Sequence, residues 1–171
     1  MTEEGMNEDR ELGRAEGKAF RLLTLRAHSE KELRAKLKAG GFADAVVERV
    51  IRRCRELGYL NDEAFARQRA RVLAVSRLAG DRRIALDLRE RGIDAGLSAR
   101  VIAEVRGELG EEEAAERLLR RKTRERPVAA LTDREKARLA RGLMGKGFPT
   151  GLILKTLKKT EEEGFHGDDG E

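Results

Sequence analysis

The ten residues LRAKLKAGGF (33–42) return as IALDLRERGI (84–93) and again as LARGLMGKGF (139–148). In each copy two aliphatic residues stand four apart, Leu33 and Leu37, Ile84 and Leu88, Leu139 and Leu143. A glycine followed by an apolar residue then closes the segment: Gly41-Phe42, Gly92-Ile93, Gly147-Phe148. Aliphatics at that spacing share one face of a helix. The glycine supplies the left-handed residue that ends a helix, and the apolar residue after it folds back onto the last turn. The likeness continues past the glycines, where Val46, Leu97 and Leu152 correspond, as do Ile51, Ile102 and Leu157. A helical unit of about fifty residues is thus used three times, its copies offset by 51 and 55.

Helix starts are marked as well as stops. Ser29 with Glu32 and Thr132 with Glu135 have capping-box spacing, while the middle copy offers only Asp81. An Ala- and Leu-rich helix precedes each repeated segment, over 19–26, 64–78 and 114–124, and a third follows it. The expectation is an all-α protein of nine helices in three tandem three-helix bundles, 18–58, 59–110 and 111–159, stacked into an elongated, curved body. Gly58 and Gly110 punctuate the joints, Asn61 or Asp62 caps the fourth helix, and the acids at 111–113 suit the positive end of the seventh. Pro127 breaks the seventh helix and Pro149 falls in the first turn of the ninth.

Composition agrees with solvated helices. Hydrophobic residues make up 39% and charged residues 40%, with two prolines and no tryptophan, too little apolar matter for one large core. The net charge of +5 hides a polarity, because acids crowd both ends: six in residues 1–17 and six in 160–171. Those two stretches, polar and glycine-containing, are expected to be disordered acidic tails. Without them the stretch from Lys18 to Lys159 carries 35 basic against 20 acidic residues, a net of +15. Such a body is drawn to polyanions or to an acidic protein face. No secretory start and no run of eighteen apolar residues is present, which places the protein in the cytoplasm by expectation. The lone Cys54 falls on an apolar helical stripe and is read as core.

No catalytic constellation emerges, so an enzyme is not expected, nor a cofactor or a metal. His28 and His166 are far apart without a cluster of ligands at metal spacing, and Gly145-Lys146-Gly147 is a helix stop, not a phosphate loop. His28, just before the Ser29 cap, is read as a solvated helix end. Phe20, Phe42, Phe65 and Phe148 sit at apolar positions of the repeat and are read as packing rather than base-stacking platforms. Tyr59, in the joint, has two readings, packing one bundle on the next or reaching a partner. The run Arg117, Arg120, Arg121, Lys122, Arg124, Arg126 occupies most faces of its helix, as a merely solvated helix would also do. Arg67 and Arg71, one turn apart, share a side of the fourth helix and, with Arg82, Arg89, Lys155, Lys158 and Lys159, are the candidate contact surface. Paired helices about a tight glycine turn also give each bundle a helix-turn-helix outline, so a stand-alone DNA-binding protein is the alternative.

The string GYLNDEAFA (58–66), after Leu23-x-x-Arg26-x-x-Ser29-Glu30-x-Glu32-Leu33 and before Leu88-x-x-Arg91-Gly92-Ile93, resembles the RecX regulatory proteins. The resemblance covers roughly residues 18–158 and all three repeats. It implies a partner, the RecA filament on DNA, in whose helical groove such a protein lodges as a monomer, with weak affinity for DNA alone. From there it restrains filament growth or hastens disassembly, and lowers ATP hydrolysis, strand exchange and co-protease activity toward LexA. It also carries over Tyr59, Asp62, Phe65 and Gly92 as motif positions that hold the repeats in register.

Overall fold

The computed structural model describes residues 3–124 and 126–165. Among them lie nine α-helices and no strand: α1 (Glu3–Leu25), α2 (Glu30–Lys38), α3 (Asp44–Glu56), α4 (Asp62–Arg71), α5 (Asp81–Glu90), α6 (Ala95–Arg106), α7 (Glu111–Thr123), α8 (Asp133–Gly145) and α9 (Thr150–Phe165). One π-helical turn, Val72–Ser76, follows α4, and a short 3-10 turn, Val128–Ala130, follows Pro127. The all-α class and three helices per repeat are as the sequence indicates. Gly41, Gly92 and Gly147 end α2, α5 and α8 with φ of 82°, 83° and 92°, the left-handed region that a side chain disfavours.

The helices gather into two compact units. One comprises the chain up to Ala66 together with Arg89–Leu97; the other comprises Arg67–Leu88 together with the chain from Ser98 onward. The division runs through the middle repeat.

In the first unit, Leu33 and Leu37 of α2, Val46, Val47, Val50, Ile51 and Cys54 of α3, and Ala15 and Ala19 of α1 form the core. Cys54 is buried there, and burial pushes its thiol up from its ordinary value. Ser29 starts α2 with a complete capping box: its hydroxyl accepts the Glu32 N–H, and the Glu32 carboxylate accepts the Ser29 N–H.

Here the structure corrects the expected disorder of residues 1–17. From Glu3 they belong to α1, because the apolar stripe of that helix continues backward through Ala19, Ala15 and Leu12 into the core. Three of its acids serve the fold. Glu8 pairs with Arg49 at 3.1 Å and Glu16 with Arg53 at 3.2 Å. Glu11 accepts the Ala43 N–H at 2.9 Å, satisfying the start of α3, where Ala43 itself has no capping side chain. At the other end, residues 160–165, also expected to be disordered, continue α9, and Glu161 pairs with Lys136 at 2.6 Å. The expected disorder of residues 1–2 and 166–171 lies outside the described residues.

The second unit is centred on Ala114, Ala115, Leu118 and Leu119 of α7, Val128, Leu143 of α8, Phe148 and Ile153 of α9, and Leu78. Thr132 opens α8 with the second capping box. At α5, which lacks a box, Glu111 reaches the Asp81 N–H at 2.8 Å, and the Asp81 carboxylate instead pairs with Arg106 at 2.7 Å. Asn61, not Asp62, caps α4, accepting the Ala64 N–H at 2.9 Å.

Candidate partner-binding surface

Four of the seven candidate cations form two ladders, Lys158 pairs within its own helix, and Arg82 and Arg89 stand apart. Arg67 and Arg71 project from α4 toward Glu104, near the end of α6, and Glu108, in the turn that follows it, at 2.7 Å each. The cations are four residues apart and so are the acids, so the two pairs follow one another as successive rungs. Lys155 and Lys159 of α9 meet Glu112 and Glu116 of α7 in the same way, at 2.8 and 2.6 Å. Lys158 lies beside Glu162 at 3.8 Å, one turn on. The Arg67 guanidinium holds the Glu104 carboxyl below its usual value, and the Lys155 ammonium does the same to Glu112. Arg82 and Arg89 are exposed and form no ion pair among the described residues. The sequence missed the ladders because it shows the cations' spacing and not which helix they face. The clue was present in the acids, since Glu104 and Glu108, like Glu112 and Glu116, repeat the four-residue step.

Exposed pairs of this kind contribute little to stability and exchange readily for a partner's anion. The ladders are therefore compatible with a contact surface, but their cations are already matched.

The motif positions have structural roles that can be stated one by one. The Asp62 carboxylate accepts the Glu30 N–H at 2.8 Å, adding to the start of α2, and burial pushes its carboxyl up. The Ser29 hydroxyl, besides its cap, donates to the Arg91 carbonyl at 2.7 Å, directly before Gly92. A side chain at Gly92 would meet Lys31 at 2.8 Å, so close passage as well as positive φ demands glycine there. Phe65 is buried. Tyr59 remains 59% exposed with its ring edge-on to Phe20 at 5.5 Å, so one face packs locally and the rest meets solvent.

His28 corrects another expectation. It is 3% exposed, not solvated. Nε2 lies 2.9 Å from the Lys36 ammonium and Nδ1 lies 2.9 Å from the Arg26 carbonyl. An ammonium cannot accept, so Nε2 accepts and Nδ1 carries the proton. Burial holds the imidazole below its ordinary value, with Arg26 and Lys36 acting in the same direction. The ring is a neutral structural bracket between α1 and α2. Among the described residues no group of three or more potential ligands is placed to hold a metal, and no helix is long and apolar enough to cross a membrane.

Three successive segments of the chain match family descriptions: the first three-helix domain of RecX over residues 15–54, the second over 61–102 and the third over 110–157. The chain belongs to the RecX family. It is 38% identical to the regulatory protein RecX of Thermus thermophilus over 146 residues, which is 85% of this chain and 92% of that protein. To the regulatory protein RecX of Syntrophotalea carbinolica it is 32% identical over 137 residues, 80% of this chain and 90% of the relative. In fold it is similar to the crystal structure of RecX from Lactobacillus salivarius, with a TM-score of 0.73, 18% identity, and coverage of 90% of this chain and 98% of that one. The Thermus and Syntrophotalea relatives are regulatory proteins by name. The string GYLNDEAFA, which carries the resemblance to RecX, straddles the boundary at which the second domain match begins.

Proposed function

We propose that this chain regulates the RecA recombinase, seating itself as a cytoplasmic monomer in the groove of the RecA filament on DNA and lowering filament growth or stability. ATP hydrolysis, strand exchange and LexA co-protease activity fall as the filament does. The observation that carries this reading is the presence of all three RecX domains, in order, across residues 15–157. The positive body supports it, since a filament groove offers both protein carboxylates and DNA phosphates. The action needs no bond-making chemistry: a ligand that prefers one filament state shifts the assembly equilibrium toward it.

The test is RecA ATPase on single-stranded DNA with this protein titrated below stoichiometry. Inhibition at low ratios is expected; unchanged hydrolysis at every ratio overturns the proposal. The alternative, a DNA-binding protein acting alone, requires tight binding to duplex without RecA, with log affinity falling steeply against log salt. The ladder cations are tested by neutralisation, not reversal. Charge reversal at Arg67 and Arg71 would crowd new carboxylates against Glu104 and Glu108 and perturb the fold. The double variant Arg67→Gln/Arg71→Gln is expected to weaken inhibition with helicity intact, and unaltered potency removes the pair from the contact surface.

A further inference from the structure

One group of cations in the second unit differs from the ladders. The chain leaves the π-helical turn at Arg77, Leu78 then takes a left-handed conformation with φ 49°, and Gly80 donates its N–H to the Lys146 carbonyl at 2.9 Å. Leucine disfavours that conformation, and it is held because the Leu78 side chain fills the second core. The approach is close enough that a Cβ at Gly80 would lie 2.5 Å from the Gly147 carbonyl carbon, and a Cβ at Gly147 would lie 2.4 Å from the Arg83 nitrogen. Backbone contact thus fixes the stems of Arg77 and Arg83 beside Lys146. From α7, Lys122 extends over α8 with Nζ 3.5 Å from the Cβ position of Gly142, one turn before Lys146, and Arg121 precedes it.

Arg77, Arg83, Arg121 and Lys122 are exposed, and none of them forms an ion pair among the described residues. Lys146 is half-buried in their midst. Burial, then the charges of Arg121, Lys122, Arg77 and Arg83, hold its ammonium below the ordinary lysine value. The fold assembles five like charges with no ion-pair partner for them among the described residues, an arrangement that a bound anion relieves.

We propose that Arg77, Arg83, Arg121, Lys122 and Lys146 form a binding site for the phosphodiester backbone of nucleic acid. The site deepens the proposed role and rests on it for its setting, since a regulator seated on a nucleoprotein filament meets phosphates there. Three guanidinium and two ammonium groups provide charge and forked donors for phosphate oxygens. The five bring no aromatic ring, which a protein hot spot would centre on, and no amide to read base edges. Binding at this site is therefore indifferent to sequence and steep in salt.

The experiment measures binding of the full chain to a fluorescent duplex by anisotropy across a salt series, without RecA. The variant Arg77→Gln/Arg121→Gln/Lys122→Gln is compared with Arg10→Gln/Arg21→Gln/Arg52→Gln, which removes equal charge elsewhere. The first is expected to lose about tenfold or more in affinity and to flatten the log–log salt slope by about two to three, equally on A·T-rich and G·C-rich duplexes. The second is expected to change the slope by less than one. Conservative Arg77→Lys/Arg121→Lys retains the slope, which separates lost charge from lost folding. Equal effects of the two triple variants, or a collapse in the lysine variant, overturn the proposal. So does a cluster variant that binds duplex normally yet inhibits RecA poorly, since it assigns the cluster to a protein face. If the unaltered chain fails to inhibit RecA ATPase while the cluster still governs duplex binding, the filament role falls and the site stands.

Discussion

At His28 a single ring reports the cost of charge in a closed place. The unfolded chain has an imidazole at its ordinary value of 6.5, whereas the folded ring sits lower because burial and two cations disfavour its protonation. Between those two values the unfolded chain binds a proton that the folded chain refuses, so acid favours unfolding. The stabilisation is complete above about pH 6.5 and is lost as pH falls toward the folded value. Urea midpoints measured from about pH 5 to 8 should fall on the acid side, and His28→Gln should flatten that part of the curve. An unchanged profile in the variant would show that His28 is not the titrating group. Glycines give a second test at this scale. Gly13, inside α1, has nothing within 4 Å of the place an added methyl would take, so Gly13→Ala should stabilise by about 0.5–1 kcal/mol through helix propensity. Gly80 would drive the same methyl into the backbone of Gly147, so Gly80→Ala should cost about 1–3 kcal/mol. Thermal melts that ranked the two alike would contradict the close approach.

Helix ends carry most of what could be foreseen. A capping box is a local device, its partners three residues apart, so Ser29 with Glu32 and Thr132 with Glu135 were readable before any packing was known. The same holds for the glycine stops, because positive φ is a property of one residue and its neighbours. What lay hidden depends on residues distant in sequence. The start of α5 is served by Glu111, thirty positions on, and the start of α3 by Glu11, thirty-two positions back. The burial of His28 is hidden for a related reason, since Lys36, eight positions on, reaches the ring only once α2 has formed. The two boxes also differ in a testable way. Thr132→Ala removes a cap alone and should cost about 1 kcal/mol, whereas Ser29→Ala also strips the Arg91 carbonyl of its donor and should cost about 2 kcal/mol. Equal losses in denaturant would mean the Ser29–Arg91 hydrogen bond contributes nothing.

Across the whole molecule, charge was legible as a total and illegible as an arrangement. The excess of cations between Lys18 and Lys159 is plain in the sequence, but the same residue types end in matched ladders on α4 and α9 and in a cluster around Lys146 that has no ion pair among the described residues. Alternation of sign along one helix cannot distinguish those outcomes, because the deciding acid belongs to another. The acids of residues 1–17 teach the same lesson in reverse. Deleting residues 1–17 should lower stability by about 2–3 kcal/mol, since Ala15 and Leu12 leave the first core and α3 loses its Glu11 partner. An unchanged melting temperature would restore the picture of a dispensable tail. The widened turn at Val72–Ser76 has a consequence for insertions and deletions. A π-turn is an α-turn with one residue too many, so excising one of these five would heal the helix while rotating the chain beyond it by about 100°. Leu78 would swing out of the space it plugs and Gly80 would lose its grip on Lys146. At Val72–Ser76 the residue count itself is under constraint.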